Sequence, residues 1–432
     1  MVGAITLGRK SLWFDEAFDA VRIKGTWGSL VHLVGATEMS QGVYLIGLKP
    51  WAELTSFSEV WLRLPSVVAA ALAAAFLVPL GTRLFDRTTG VVAGVLLATN
   101  EFLVRWSQQA RTYALVTLAV VVVSILFVRA LDDPRRRNWL LYAVAAAFAV
   151  YCHFYAGFVI VAHLASLPLA PHRPPLRRVV EAAVTFLVLM GPVATFTMTA
   201  SRTQLSFIPV PSFDLVQEVV TQTTGRNAAL ALAAGAGLVM LAYRAGAGAA
   251  TDRWLLTLVG GWAALPIALG LLVSTAHPIL LSRYAIVIAP ALALAGAVAI
   301  AALAQARREL AVGALALLIA ISGYRIVEWY RSVPEDWRGA VAFIAGERGP
   351  SDAVVVTPSW ALAAYRYYDP ITAVEESAAG RRAFVVVRTG STHGTADDSE
   401  VANAVVDLTG MTLVREHRFG RRVRVFEYEP SG

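Results

Sequence analysis

Two adjacent carboxylates, Asp15 and Glu16, stand between aromatic residues in the stretch SLWFDEAF. A carboxylate within hydrogen-bond reach of a hydroxyl can act as its general base. Cations recur beside apolar segments further on: Lys49 in GVYLIGLKPW, Arg63 in SEVWLRLPS, Arg105 and Arg111 in NEFLVRWSQQARTYAL, and Arg283 in HPILLSRY. Arg and Lys in such places suit a phosphate at a membrane face. Base and cations together fit a reaction in which an acceptor oxygen is freed while a phosphate departs, its developing charge held by an Arg or Lys. No Gly-rich loop that cradles a nucleotide phosphate accompanies them. Glu38, His153 and Tyr284 complete the candidate set, as groups that could contact the substrates.

The elements that must position these residues are apolar. Of 432 residues, 57% are hydrophobic and 16% charged, with a mean hydropathy of +0.60. Soluble domains are about 25% charged, so the chain reads as a polytopic transmembrane helical bundle. The net charge of +7 is then first a topology signal, and no nucleic-acid motif accompanies it. The single cysteine, Cys152, excludes an internal disulfide and a cysteine-based metal cluster. Apolar runs predict ten spans near 64–81, 88–104, 112–130, 139–152, 154–170, 182–200, 228–243, 255–275, 285–304 and 310–327. The fourth and fifth form a hairpin with CHFY at its turn. Arg83 and Arg87, Arg135–Arg137, Arg173, Arg177 and Arg178, Arg244 and Arg253, and Arg307 and Arg308 fall on alternate loops, which the positive-inside rule assigns to the cytoplasm. The candidate residues then lie on the extracytoplasmic side. MVGAITLG, ahead of the acids, is shorter than the ~20 residues needed to cross a bilayer, so a first helix is expected to be missing.

Residues 1–60 read as the remnant of that helix plus a first outer loop, 61–330 as the bundle, and 331–432 as a small α/β extracytoplasmic domain. In the last, PEDWRGAVAFIAGERGPSDAVVVTP reads as helix, turn and strand, and AFVVVRT and RVRVFEYE as further strands. His393, Asp397, Asp398 and Glu400 sit in a Gly/Ser/Thr-rich stretch without metal-site spacing, read as a solvated loop.

The ordered landmarks SLWFDEA, GVYLIGLKPW, SEVWLRLPS, QQARTYAL, YCHFYAG and LLSRY give a resemblance to the GT-C class of membrane glycosyltransferases. They resemble in particular the bacterial dolichyl-phosphate-mannose–protein mannosyltransferase-like and aminoarabinose-transferase-like families. The resemblance covers roughly residues 9–330. It implies a polyprenyl-phosphate-linked sugar donor, a cell-envelope acceptor, a site on the outer face of the plasma membrane, and inversion at the anomeric carbon. It carries the family's proposed base onto Asp15, with Glu16 beside it, and a second acid onto Glu38; Arg111 and Tyr113 also match. Gln41-Gly42 stand where the family has Pro-Pro, and Gln109 where it often has an acid.

Each candidate has a structural alternative. Asp15 and Glu16 could serve a helix dipole. A divalent metal there is chemically allowed, but no His or Cys set is spaced to complete its site, and no cofactor is indicated. Lys49 and Arg63 could be interfacial anchors, and Glu59 and Glu101 members of structural ion pairs. His153 could be a hydrogen-bonded structural histidine, and Arg283 with Tyr284 could stabilise an outer loop. The rival functions are a transporter or flippase for a lipid-linked glycan, whose charges would gather near the bilayer midplane, and an inactive scaffold of the same fold.

Overall fold

The computed structural model describes residues 6–37, 39–199, 208, 210–248, 250–378, 380–389 and 408–431. The chain runs through α1 (Phe14–Lys24), α2 (Trp27–Ala36), α3 (Gly42–Leu54), α4 (Glu59–Leu84), α5 (Arg87–Ala98), α6 (Glu101–Ser107), α7 (Tyr113–Asp132), α8 (Arg136–Cys152) and α9 (Ala156–Ser166). It continues through α10 (Leu176–Leu189), α11 (Gly191–Thr199), α12 (Phe213–Thr223), α13 (Ala228–Gly246), α14 (Ala250–Leu255), α15 (Gly261–Ser274), α16 (Ala289–Ala306) and α17 (Arg308–Arg331). Then follow α18 (Trp337–Glu347), β1 (Ala353–Thr357), α19 (Leu362–Tyr368), β2 (Ala383–Arg388), β3 (Met411–Phe419) and β4 (Val423–Pro430). Contacts divide the described residues into two units. One holds Val31–Leu48 and Arg63–Trp329; the other holds Thr6–Leu30, Lys49–Leu62 and Tyr330 onward.

The first unit is helical. Among the described residues, six helices are long and apolar enough to cross a membrane: Glu59–Leu84, Tyr113–Asp132, Ala228–Gly246, Ala250–Ser274, Tyr284–Ala306 and Arg308–Arg331. The fourth is continuous through a π turn at Leu256–Gly260. The other expected spans are shorter pieces. The span expected at 88–104 is broken at Asn100, whose side chain caps α6 by accepting from the amides of Phe102 and Leu103. The run at 139–170 forms α8 and α9, with His153 at the break. The span at 182–200 forms α10 and α11. Packing rests on close backbone approach: at Gly237 of α13 a Cβ would lie 1.8 Å from the Ala295 carbonyl oxygen of α16. Small residues serve this purpose in membrane bundles, where lipid is as apolar as the helix face.

The second unit contains a four-stranded sheet of order β1-β2-β4-β3. β1 and β2 are parallel, in register Ala353↔Ala383 to Thr357↔Val387, joined by a crossover that includes α19. β2–β4 and β3–β4 are antiparallel. Every residue of β1 and β2 is buried, as expected of parallel strands covered on both faces. Val355, Val385, Val387, Phe426 and Tyr428 form a core cluster. α18 is capped by Asp336 and buries Trp337, Ala340, Val341 and Ile344, a helical stripe. Gly420 turns β3 into β4 at φ 76°, and a Cβ there would lie 2.8 Å from the Val333 carbonyl oxygen. The residue thus lets the hairpin meet the segment that leads into α18.

Candidate active site

Two cationic candidates of the helical unit, Arg111 and Arg283, come together beside His153 at helix ends. The turn between α6 and α7 carries Arg111. The Ser66 hydroxyl donates to the Arg111 carbonyl oxygen at 3.2 Å, and Tyr44 Oη lies 3.0 Å from Ser66 Oγ. The next residue, Thr112, donates to the Cys152 carbonyl at 2.8 Å, which ties the Arg111 turn to the α8–α9 turn and His153. The ring of Tyr284 completes the group, 4.6 Å from His153 and 6.4 Å from Tyr113, with Tyr113 6.0 Å from His153. The Arg283 guanidinium lies 5.5 Å from the Tyr284 ring centre. The structure therefore brings together Arg111, Tyr113, His153, Arg283 and Tyr284. Arg111, Tyr113 and His153 are buried, while Arg283 and Tyr284 are half-buried.

His153 Nδ1 accepts from the Tyr155 amide at 3.3 Å, which leaves the ring proton on Nε2 in the neutral form. Burial first, then the guanidinium of Arg283 and that of Arg111, hold its pKa down at about 3. The group thus presents two guanidinium cations and a neutral imidazole that can donate from Nε2. That donor set matches an anion. Arg63 is buried in α4 of the same unit. Beyond this group, Arg105 lies 3.5 Å from the fully buried Glu101 and donates to Gln222, an arrangement that suits a structural pair.

The acids belong to the other unit. α1 starts at Phe14. The Glu16 carboxylate accepts from the Trp13 amide at 3.3 Å, the N3-to-N-cap half of a capping box, and Glu16 is 1% exposed. Asp15 is half-buried, and among the described residues no hydrogen bond involves its carboxylate. The adjacent acids therefore differ: Glu16 shapes the helix start, and Asp15 keeps its oxygens available. Asp19, one turn on, is also buried. Its i+4 spacing from Asp15 is the signal that the sequence analysis passed over.

Lys49 sits at the far end of α1. Its ammonium donates to the Ile23 and Gly25 carbonyls at 2.8 Å each and pairs with Glu53 at 2.6 Å. Three donors meet three oxygens, a cation well placed for a helix C-terminus. Glu59 pairs with Arg338 and accepts from Tyr368 Oη at 2.9 Å. Glu38, and the stretch holding His393, Asp397, Asp398 and Glu400, lie outside the described residues. Among the described residues no group of three or more His, Cys, Asp or Glu side chains is placed to hold a metal ion. Sequence reasoning also missed Glu335, Arg388 and Tyr368, which grip the residues around the start of α1. No local pattern marks them, since more than 300 positions separate Glu335 from Phe14.

Residues 43–198 match the family model of the dolichyl-phosphate-mannose-protein mannosyltransferases. Among curated proteins, none matches the chain by sequence. The chain is similar in structure to ArnT from Cupriavidus metallidurans in its apo state, with a TM-score of 0.61 at 13% identity, over 99% of this chain and 95% of that one. The same protein bound to undecaprenyl phosphate gives 0.59 at 14% identity, over 99% and 96%. The oligosaccharyltransferase of Archaeoglobus fulgidus, in complex with Zn and sulfate, gives 0.53 at 13% identity, over 85% of this chain and 59% of that one. With its helical bundle, its small sheet-containing part and these similarities, the chain has the GT-C fold of membrane glycosyltransferases.

Proposed function

We propose that this protein transfers a sugar from a polyprenyl-phosphate donor to a hydroxyl of a cell-envelope acceptor, on the extracytoplasmic face of the inner membrane. The observation that carries the reading is the convergence of Arg111, Arg283 and the neutral His153, in a fold whose similar structure holds undecaprenyl phosphate. Arg111 and Arg283 would hold the donor phosphate, with His153 donating from Nε2 and the Tyr113 and Tyr284 rings lining the group. Asp15 would take the proton of the acceptor hydroxyl. The freed oxygen attacks the anomeric carbon, and the bond from that carbon to the phosphate oxygen breaks with inversion. The lipid phosphate leaves with the electron pair, its charge met by the two guanidinium groups. Lys49, satisfied by three oxygens at the end of α1, is better suited to holding that helix than to binding phosphate.

The test is transfer by the purified protein from labelled undecaprenyl-phosphate mannose, glucose, arabinose and aminoarabinose to envelope extracts. Turnover that is lost in a folded Asp15→Asn variant is the expected result. Full activity in that variant would remove Asp15 from the role. Lipid translocation without transfer would mark a flippase, and neither activity an inactive scaffold.

A further inference from the structure

We infer that Glu335 is a positioning residue that fixes the first turn of α1 and thereby aims Asp15; the inference rests on the reading of Asp15 as the base. Glu335 is 3% exposed, and both of its oxygens are fully used. Oε2 accepts from the Phe14 amide at 3.1 Å and from Trp337 Nε1 at 2.8 Å. Oε1 accepts from Arg388 Nε at 2.9 Å and Nη2 at 2.7 Å. Four donors saturate the acceptor sites of a carboxylate.

Phe14 is the residue before Asp15, and its amide is one of the donors that a helix start leaves without an internal partner. A buried negative charge at that point also complements the helix dipole. The residues before it are held as closely. Ser11 Oγ donates to the Glu335 carbonyl at 2.9 Å and accepts from the Trp337 amide at 3.1 Å. The Leu12 amide donates to Tyr368 Oη at 2.7 Å, and the Trp13 amide to Glu16. Arg388, the ion-pair partner of Glu335, stacks its guanidinium 4.1 Å from the Phe14 ring centre, while Phe14 and Trp360 pack at 4.7 Å. The amides of three consecutive residues, Leu12 to Phe14, thus have assigned acceptors immediately before a carboxylate that makes no hydrogen bond among the described residues.

A buried ion pair seldom stabilises a fold better than apolar packing would, so its use here points to geometry. A base displaced by about 1 Å loses roughly 100-fold in rate, which gives such an anchor a function. A purely structural staple for the sheet would leave turnover by the folded enzyme unchanged. That difference separates the two roles.

The experiment uses the full chain in nanodiscs, with Glu335→Gln and the shorter Glu335→Asp. Hydrogen exchange of residues 11–24 is measured beside kcat and KM for the four labelled undecaprenyl-phosphate sugars. In Glu335→Gln the amides of residues 14–17 should exchange at least roughly 10-fold faster with the bundle helices unchanged. Its kcat should fall roughly 10- to 100-fold while the donor KM stays within about twofold. Glu335→Asp should recover part of both losses. Unchanged exchange would overturn the inference, as would faster exchange at full kcat. An active Asp15→Asn would instead sink the base assignment, while the exchange data still decide whether Glu335 holds the turn. If Glu335→Gln does not fold, Arg388→Lys, which keeps the charge opposite Glu335, is read by the same criteria.

Discussion

Asp15 and Glu16 show how one turn of helix can separate two identical functional groups. Glu16 is buried and returned to the Trp13 amide, while among the described residues the Asp15 carboxylate makes no hydrogen bond. Across the cation group, the proposed roles make distinct predictions. Arg111→Ala should weaken binding of undecaprenyl phosphate at least tenfold, and Arg111→Lys should recover only part, because a point charge does not reproduce a two-pronged guanidinium. Titration with the lipid phosphate in detergent measures this directly. His153 contributes through its neutrality. Its folded pKa, about 3, lies below its ordinary 6.5, so the unfolded chain binds a proton at this position that the folded chain refuses. Stability from this residue is therefore intact above pH 6.5 and declines as the pH falls from there toward 3. Melting in detergent should show His153→Gln losing less Tm than the wild type between pH 6.5 and 5. Equal losses would contradict the assignment of His153 as buried and neutral.

At the scale of elements, long apolar runs were legible because in a bilayer the length and composition of a segment nearly dictate a helix. All ten expected positions carry helix. What the runs did not disclose is interruption: the span from 88 to 104 stops at Asn100, where one side-chain oxygen takes two amides and starts α6 afresh. β3 was also unread, since TLVREHRF mixes charge into an edge strand with one mostly exposed surface. In the candidate site, the residue types at 111, 153 and 283 were legible from their cost beside lipid. The Tyr44–Ser66–Arg111 chain of hydrogen bonds was not, because nothing periodic links positions so far apart. The small-residue run LAAGAGLVM of α13 carries its close approach to α16, which makes a sharp test. Gly237→Leu must push α13 away from the Ala295 carbonyl, whereas Gly235 has open space. Overpacking costs about 1–3 kcal/mol or more, so Gly237→Leu should lower Tm by several degrees while Gly235→Ala leaves it near the wild-type value.

For the molecule as a whole, the fold makes the sidedness of its loops a physical question. The ten apolar segments read from the sequence alternate with loops in which arginine recurs at every second turn, and by the positive-inside rule Arg135 and Arg308 are expected in the cytoplasm. The same alternation puts Thr26, in the unit that carries the acids, and Thr409, beside the last β-hairpin, on the opposite side. The prediction is clean because the sole native thiol, Cys152, is buried. In a Cys152→Ala background, single cysteines at Thr26 and Thr409 should react with an impermeant maleimide in intact spheroplasts. Cysteines at Arg135 and Arg308, both exposed in the structure, should react only after permeabilisation. The outcome bears on chemistry as well as topology. A polyprenyl-phosphate donor presents its sugar at one face only, and the acids must share that face to use it. Labelling of Thr26→Cys only after permeabilisation would place the acids in the cytoplasm and would end the proposal of extracytoplasmic transfer, while leaving the fold untouched.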